Sequence, residues 1–157
     1  MTVKSLELLV PPPLWLLLCA IVAYGLAKLH GLLGLTLLPP AILLLRWPLL
    51  LVAGFIALLS LLGFIRKHTT INPHHPERSQ HLVVGGLYRF SRNPMYLSLL
   101  MLLLVWCLHL QSYLALLSCG LFIYLLTRLQ IKPEERALAQ HFGERYLQYC
   151  RRTRRWL

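Results

Sequence analysis

Carboxylates are so scarce in this sequence that each one is a candidate for chemistry. There are five, all Glu, against sixteen Lys or Arg, and three of them (Glu134, Glu135 and Glu144) fall near the C-terminal end. Pro133 directly precedes the pair Glu134-Glu135. A proline at the first helical position sets both carboxylates in the first turn, where the helix dipole favours negative charge. Taken alone, that is helix-end electrostatics. At a membrane boundary, however, such a carboxylate could accept hydrogen bonds from a ligand amine or from ribose hydroxyls. A second cluster is Arg92-Asn93-Pro94-Met95-Tyr96. Each member has a structural explanation: an interfacial Arg, an Asn cap, a Pro in the first turn and a Tyr of the aromatic belt. Gly85-Gly86 reads as a turn. No strand–loop–helix unit surrounds it, so it is not a dinucleotide loop. His74, His75 and His81 share a loop without a nearby Cys or Asp, and they read as solvated or interfacial histidines; no metal is assigned. The four cysteines form no CxxC pair, which leaves disulfides and zinc without support.

The elements that must position these groups are apolar helices. The chain of 157 residues is 57% hydrophobic and only 13% charged, whereas a soluble domain is roughly a quarter charged. Its net charge of +11 raises nucleic acid as a partner, but the apolar runs are too long for a soluble core and nucleic acid is set aside. The first run, residues 12–28, spans roughly 25 Å at ~1.5 Å per residue, marginal but sufficient for a crossing. Without a strongly basic start or a small-residue cleavage site, it reads as a retained span. A glycine-containing connection, 30–40, is either bent or re-entrant. The second span covers about 41–65, with Arg46 able to snorkel near one end. A long basic loop, 66–92, comes next; loops of that length are usually functional or disordered. Residues 93–127 contain no Asp, Glu, Lys or Arg and accommodate two short spans turning near His109, Gln111 and Ser112.

Residues 133–150 then read as one amphipathic helix. Leu138, Phe142, Tyr146 and Tyr149 lie on one face, and Gln140, Glu144, Gln148 and Arg151 on the other. The basic tail reads as an anchor for anionic lipid. Thirteen of the sixteen Lys/Arg lie from Arg66 onward, which by the positive-inside rule places the long loop and both termini in the cytoplasm. The expectation is an all-α polytopic membrane protein with about four transmembrane helices and a cytoplasmic C-terminal amphipathic helix. It forms one membrane domain over 1–157, with two spans in 1–69 and the chemistry in 70–157. The compact chain fits a prokaryotic plasma membrane. No segment specifies an oligomer.

The order of the motifs resembles a known family. Leu82-Val83-x-x-Gly86-x-Tyr88 precedes Arg92-Asn93-Pro94-x-Tyr96 and a charge-free helical hairpin. Glu134-Glu135-Arg136-x-Leu138 comes after it, then Phe142-Gly143-x-x-Tyr146-x-x-Tyr149 and a terminal Arg-Trp. This is similar to the isoprenylcysteine carboxyl methyltransferases and the related phospholipid methyltransferases, over roughly residues 70–157. The resemblance implies an integral membrane enzyme that uses S-adenosylmethionine to methylate a lipid-like or prenylated small substrate at the cytoplasmic face, with carboxyl O-methylation as one form of it. It implies cofactor contacts at Gln80, His81, Leu82, Val83, Tyr88, Asn93, Pro94, Met95, Tyr96, Glu134 and Glu135. Two positions depart from the family pattern. Many members have His at Asn93. The eukaryotic carboxyl methyltransferases have a substrate-facing Arg at the position of Gln130, for which Arg128 could substitute. Arg128 and Glu134 are therefore the residues expected to act on the substrate and the cofactor.

The physics suits that reaction. Methyl transfer from a sulfonium is an in-line displacement that depends on holding the nucleophile ~3–3.5 Å from the carbon. It requires no covalent enzyme intermediate, in keeping with the absence of a Ser–His–Asp or Cys–His signature. Two other readings compete. One is an NADPH-dependent membrane reductase of similar C-terminal layout, which would need basic contacts such as Arg78, Arg89 and Arg92 for the cofactor phosphate. The other is a membrane scaffold without activity. A transporter is disfavoured because no ionisable residue sits at mid-membrane in the hairpin.

Overall fold

Prolines and glycines set the helix boundaries along the chain. The computed structural model describes residue 8, residues 10–66 (backbone alone for 64–66) and residues 82–157. Helix α1, Pro12–Leu32, begins on consecutive prolines, whose missing N–H groups cost nothing in a first turn. It ends where Gly34 takes φ +63°. The 30–40 segment is thus the end of a helix and then a bent connection. The Leu38 N–H donates to the Gln111 carbonyl at 3.2 Å and its side chain is buried, which ties this connection to the turn after the third long helix. A short helix, α2 (Pro40–Leu43), leads into α3, Arg46–Arg66.

After the basic loop, α4 runs Pro94–His109 and turns at once through Gln111, whose φ is +54°. The Ser112 hydroxyl accepts from the Ala115 N–H at 3.2 Å, capping the next helix in the manner expected of serine. The tight hairpin read from the charge-free sequence is present. Beyond the hairpin the chain departs from expectation, because it does not leave the helix near Thr127. It continues without a break through a 3₁₀ turn (Leu114–Leu116), α5 (Leu117–Leu126), a π-helical turn (Thr127–Ile131) and α6 (Lys132–Phe142).

The single amphipathic helix expected over 133–150 is instead two, α6 and α7 (Glu144–Arg152), separated by Gly143. Gly143 has φ +56° and ψ −131°, backbone that an L side chain rarely adopts. A Cβ there would touch nothing within 4 Å, so the cost of Gly143→Ala is conformational. We expect ~1–3 kcal/mol, lowering the thermal midpoint in detergent by roughly 3–10 °C. An unchanged midpoint would show that the break does not depend on glycine.

Helix α1 packs on α4 and α5, and α3 packs on α4. Cys19 and Ala23 of α1 meet Leu103 and Cys107 of α4 and Ala115, Phe122, Leu126 and Ile131 of the long helix after the hairpin turn. Small residues at such contacts let helix backbones approach closely without a hydrophobic drive from water. The Trp106 indole donates to the Ala20 carbonyl at 3.1 Å. The opposite faces carry exposed Leu17, Ile21, Leu51 and Phe55, an apolar outer surface suited to lipid. Among the described residues three helices are long and apolar enough to cross a membrane: Pro12–Leu32, Pro40–Gly63 and Leu114–Phe142. This is a helical membrane protein. Four spans were expected; the remaining candidate, α4, has 16 residues and at ~1.5 Å per residue reaches only about 24 Å.

Candidate active site

Two helix starts and one π turn bring the scarce carboxylates together with the Asn-Pro-x-Tyr motif. Pro94 begins α4 and places Tyr96 in its first turn. Pro133 occupies the start of α6, with Glu134 and Glu135 after it in the first turn. The Tyr96 hydroxyl donates to Glu134 Oε1 at 2.5 Å, within the short range of charge-assisted O–H···O bonds. Gln130 lies one helical turn before Glu134, and its amide Nε2 donates to the same oxygen at 2.7 Å. Gln130 is fully buried. Its carbonyl Oε1 has no partner among the described residues. A buried acceptor left open costs free energy unless something donates to it, so the site presents unsatisfied accepting capacity beside a carboxylate.

Tyr88 is coupled electrostatically to the same carboxylate. It stands on the 3₁₀ turn Gly86–Arg89 and its ring lies 3.7 Å from where a Cβ on Gly63 of α3 would be. Burial chiefly raises its phenol well above the ordinary value, with Tyr149 and Glu134 adding to the shift. The Tyr149 hydroxyl donates to the Tyr88 carbonyl at 2.6 Å, which fixes this turn against α7.

Glu135 faces a different set of partners. Arg155 engages it with two parallel bonds, Nε to Oε1 at 3.0 Å and a terminal nitrogen to Oε2 at 2.7 Å. Arg92 adds a contact to Oε1 at 2.9 Å. The carboxylate chiefly holds the Arg155 guanidinium above its usual range. Backbone bonds extend this clamp. The Arg92 N–H donates to the Arg154 carbonyl at 2.9 Å, the Asn93 amide donates to the Arg155 carbonyl at 2.9 Å, and the Thr153 hydroxyl meets the Arg89 carbonyl at 3.4 Å. The Trp156 indole donates to the Thr127 hydroxyl of the π turn at 3.2 Å. The tail is therefore not simply a lipid anchor: Arg155 and Trp156 face the protein, while Arg151, Arg152 and Arg154 remain exposed.

Of the residues expected at the site, the structure brings Tyr88, Tyr96 and Glu134 into one electrostatic group. Pro94 and Met95 begin the same helix as Tyr96. Val83 is buried and Leu82 partly so, and Val83 lies near Gly63 beside Tyr88. Asn93 and Glu135 belong to the clamp. Arg128 is exposed on the π turn, six residues before Glu134 and so on a roughly opposite helical face. Gln80 and His81 lie outside the described residues, as do His74 and His75. Among the described residues no cluster of His, Cys, Asp or Glu could hold a metal ion. Sequence reasoning did not foresee Arg92 and Arg155 as partners of Glu135. For Gln130 the i, i+4 spacing to Glu134 was the available signal.

The family model for phospholipid methyltransferases matches residues 41–145. The chain belongs to the phospholipid methyltransferase family. This family sits within the isoprenylcysteine carboxyl methyltransferase-like group that the motif order resembles. The matched region begins within the second apolar helix and ends in α7. It therefore contains Arg92, Tyr96, Gln130, Glu134 and Glu135, while α1 and Arg155 lie outside it. A stretch of 63 residues, 40% of this chain, is 46% identical to the whole of an uncharacterized protein of Haemophilus influenzae. No solved structure matches the chain. As a phospholipid methyltransferase family member with three helices fit to span a bilayer, it is a membrane protein of a methyltransferase family, and such families generally use S-adenosylmethionine.

Proposed function

We propose that this protein is an S-adenosylmethionine-dependent methyltransferase acting on a lipid-like substrate at the membrane boundary. The observation that carries the reading is the buried group Tyr96–Glu134–Gln130. Glu134 is a carboxylate with two neutral donors on one oxygen, and the neighbouring Gln130 carbonyl is unpartnered among the described residues. S-adenosylmethionine offers an ammonium, a ribose diol and a positively charged sulfonium. Buried acceptors next to a carboxylate complement all three, so the residues present fit the group. The cofactor supplies an electrophilic methyl group.

The chain's own residues supply orientation and environment. Glu134 anchors a polar, hydrogen-donating end of the cofactor, and the Gln130 carbonyl accepts alongside it. Tyr96 holds the carboxylate in place, and Tyr88 closes the pocket wall, with Leu82 and Val83 on the chain leading into it. Gln80, His81, Asn93, Pro94, Met95 and Glu135 remain the further cofactor positions that the family resemblance implies. Asn93 and Glu135 act by holding the 91–93 segment against the tail. Arg128 is the residue that the family resemblance offers for an anionic group on the substrate, and since it is exposed on the helical face away from Glu134 it would meet only a substrate group remote from the cofactor. Displacement at the methyl carbon depends on alignment, which a site built on helix starts can provide. In this reading α4 is the fourth crossing, shortened and packed between α3 and the α5 helix, and the face carrying Glu134 is cytoplasmic.

The reductase alternative is less well supplied. Of its three candidate phosphate contacts, Arg92 is engaged by Glu135 and Arg78 lies outside the described residues. The test is calorimetric titration of the detergent-purified full chain with S-adenosylhomocysteine. Saturable one-site binding is expected. A folded protein that fails to bind it, yet binds NADPH, would overturn the assignment in favour of the reductase.

A further inference from the structure

Helix α7 carries arginines that the site described above does not use. Arg145, Gln148, Tyr149 and Arg152 stand at i, i+3, i+4 and i+7, one stripe of a helix. Such a stripe ordinarily packs an apolar surface. Here it lines a cleft of about 420 Å³ together with Leu82, Val84, Arg89 and Thr153. Three arginines, all of them exposed, thus line one space. None of the three is ion-paired to a described residue, and no acidic side chain among the described residues lines the cleft. Like charges gathered this way repel, and the arrangement is favourable once an anion lies between them. Each guanidinium offers a planar fork of donors that matches phosphate oxygens.

The walls are fixed. Tyr149 is bonded to the Tyr88 carbonyl and Thr153 to the Arg89 carbonyl, so the turn carrying Arg89 and the helix carrying Arg145 and Arg152 form one unit. The exposed Val84 and the partly buried Leu82 line the same cleft and give it apolar surface. An anionic end with an apolar body fits such a cleft.

We infer that the cleft between residues 82–89 and α7 is a phosphate-binding site, separate from the Glu134 pocket, whose ligand is a phosphoester headgroup of a membrane lipid or free phosphate. It stands independently of the methyltransferase reading, since none of its arginines touches Glu134, Gln130 or Tyr96.

The test is calorimetric titration of the full chain in neutral detergent with three probes. These are short-chain phosphatidylglycerol, inorganic phosphate, and diacylglycerol of the same chain length. The expected result is saturable binding of phosphatidylglycerol, at least tenfold weaker binding of diacylglycerol, and a loss of at least tenfold in the double variant Arg145→Gln, Arg152→Gln. The variant Arg151→Gln removes the same kind of charge from the same helix but outside the cleft, and it should stay within twofold of the parent. If inorganic phosphate matches phosphatidylglycerol, the site stands with free phosphate as its ligand. Equal binding of diacylglycerol, or equal losses in the Arg151 and the Arg145/Arg152 variants, would overturn it. Displacement of phosphatidylglycerol by S-adenosylhomocysteine would merge the cleft with the cofactor pocket and overturn it as a separate site. Unaltered S-adenosylhomocysteine binding by the double variant would show that it is folded.

Discussion

Glu134→Gln is expected to abolish measurable binding of S-adenosylhomocysteine, weakening it by roughly 100-fold or more, while leaving the protein folded. The substitution is nearly isosteric. A glutamine carbonyl at the position of Oε1 still accepts from Tyr96 and Gln130, so the helix contacts survive. The loss is the charge facing the ammonium of the ligand. Removing one partner of a desolvated charged pair costs about 3–5 kcal/mol, and each 1.4 kcal/mol is a factor of ten. Tyr96→Phe serves as the graded comparison. It removes one donor to the carboxylate and should cost about 1 kcal/mol, on the order of fivefold in affinity. If Glu134→Gln binds as tightly as the parent, the carboxylate does not anchor the cofactor and the pocket must lie elsewhere.

Glu135→Ala is expected to act on stability far more than on chemistry. Glu135 is shared by Arg92 and Arg155, and its side chain is 17% exposed against 13% and 35% for the two arginines. Its removal leaves two mostly desolvated guanidinium groups facing each other. For a fully buried pair the cost is about 3–5 kcal/mol. With Arg155 a third exposed, solvent screening reduces that to roughly 2–3 kcal/mol. The thermal midpoint in detergent should fall by about 5–10 °C. A double-mutant cycle with Arg155→Ala isolates the pair: the second substitution should add little once the first is made. Full additivity would mean that the clamp contributes no coupling.

The membrane helices and the hairpin were legible because long apolar runs and the absence of charge over 93–127 leave few alternatives. That Tyr96 and Glu134 belong together was legible too, since both stand in motifs whose order is specific, and the two side chains are hydrogen-bonded. The break at Gly143 was not. Leu138, Phe142, Tyr146 and Tyr149 keep a helical period across it, and a single glycine inside such a pattern is tolerated often enough to read as continuity. The helix from Leu114 through the π turn was also missed. Lys132 and Pro133 read as a boundary, yet a proline at a new helical start can succeed a π turn that absorbs the register change. The Arg92–Glu135–Arg155 clamp joins residues far apart in sequence, and no local pattern encodes that pairing.

The same clamp imposes an order of assembly. Segments 91–93 and 153–155 are separated by some 62 residues in their mutual contacts, and the hairpin lies between them. Closing so long a loop carries an entropic penalty that only a preformed hairpin can shorten. A nascent chain inserted as far as α5 would already hold Tyr96 within the bilayer boundary but would lack both Glu134 and the segment that braces it. Under the proposed function the site is therefore completed in one late step, after the helices are in the membrane, and a half-made copy has no cofactor pocket to occupy.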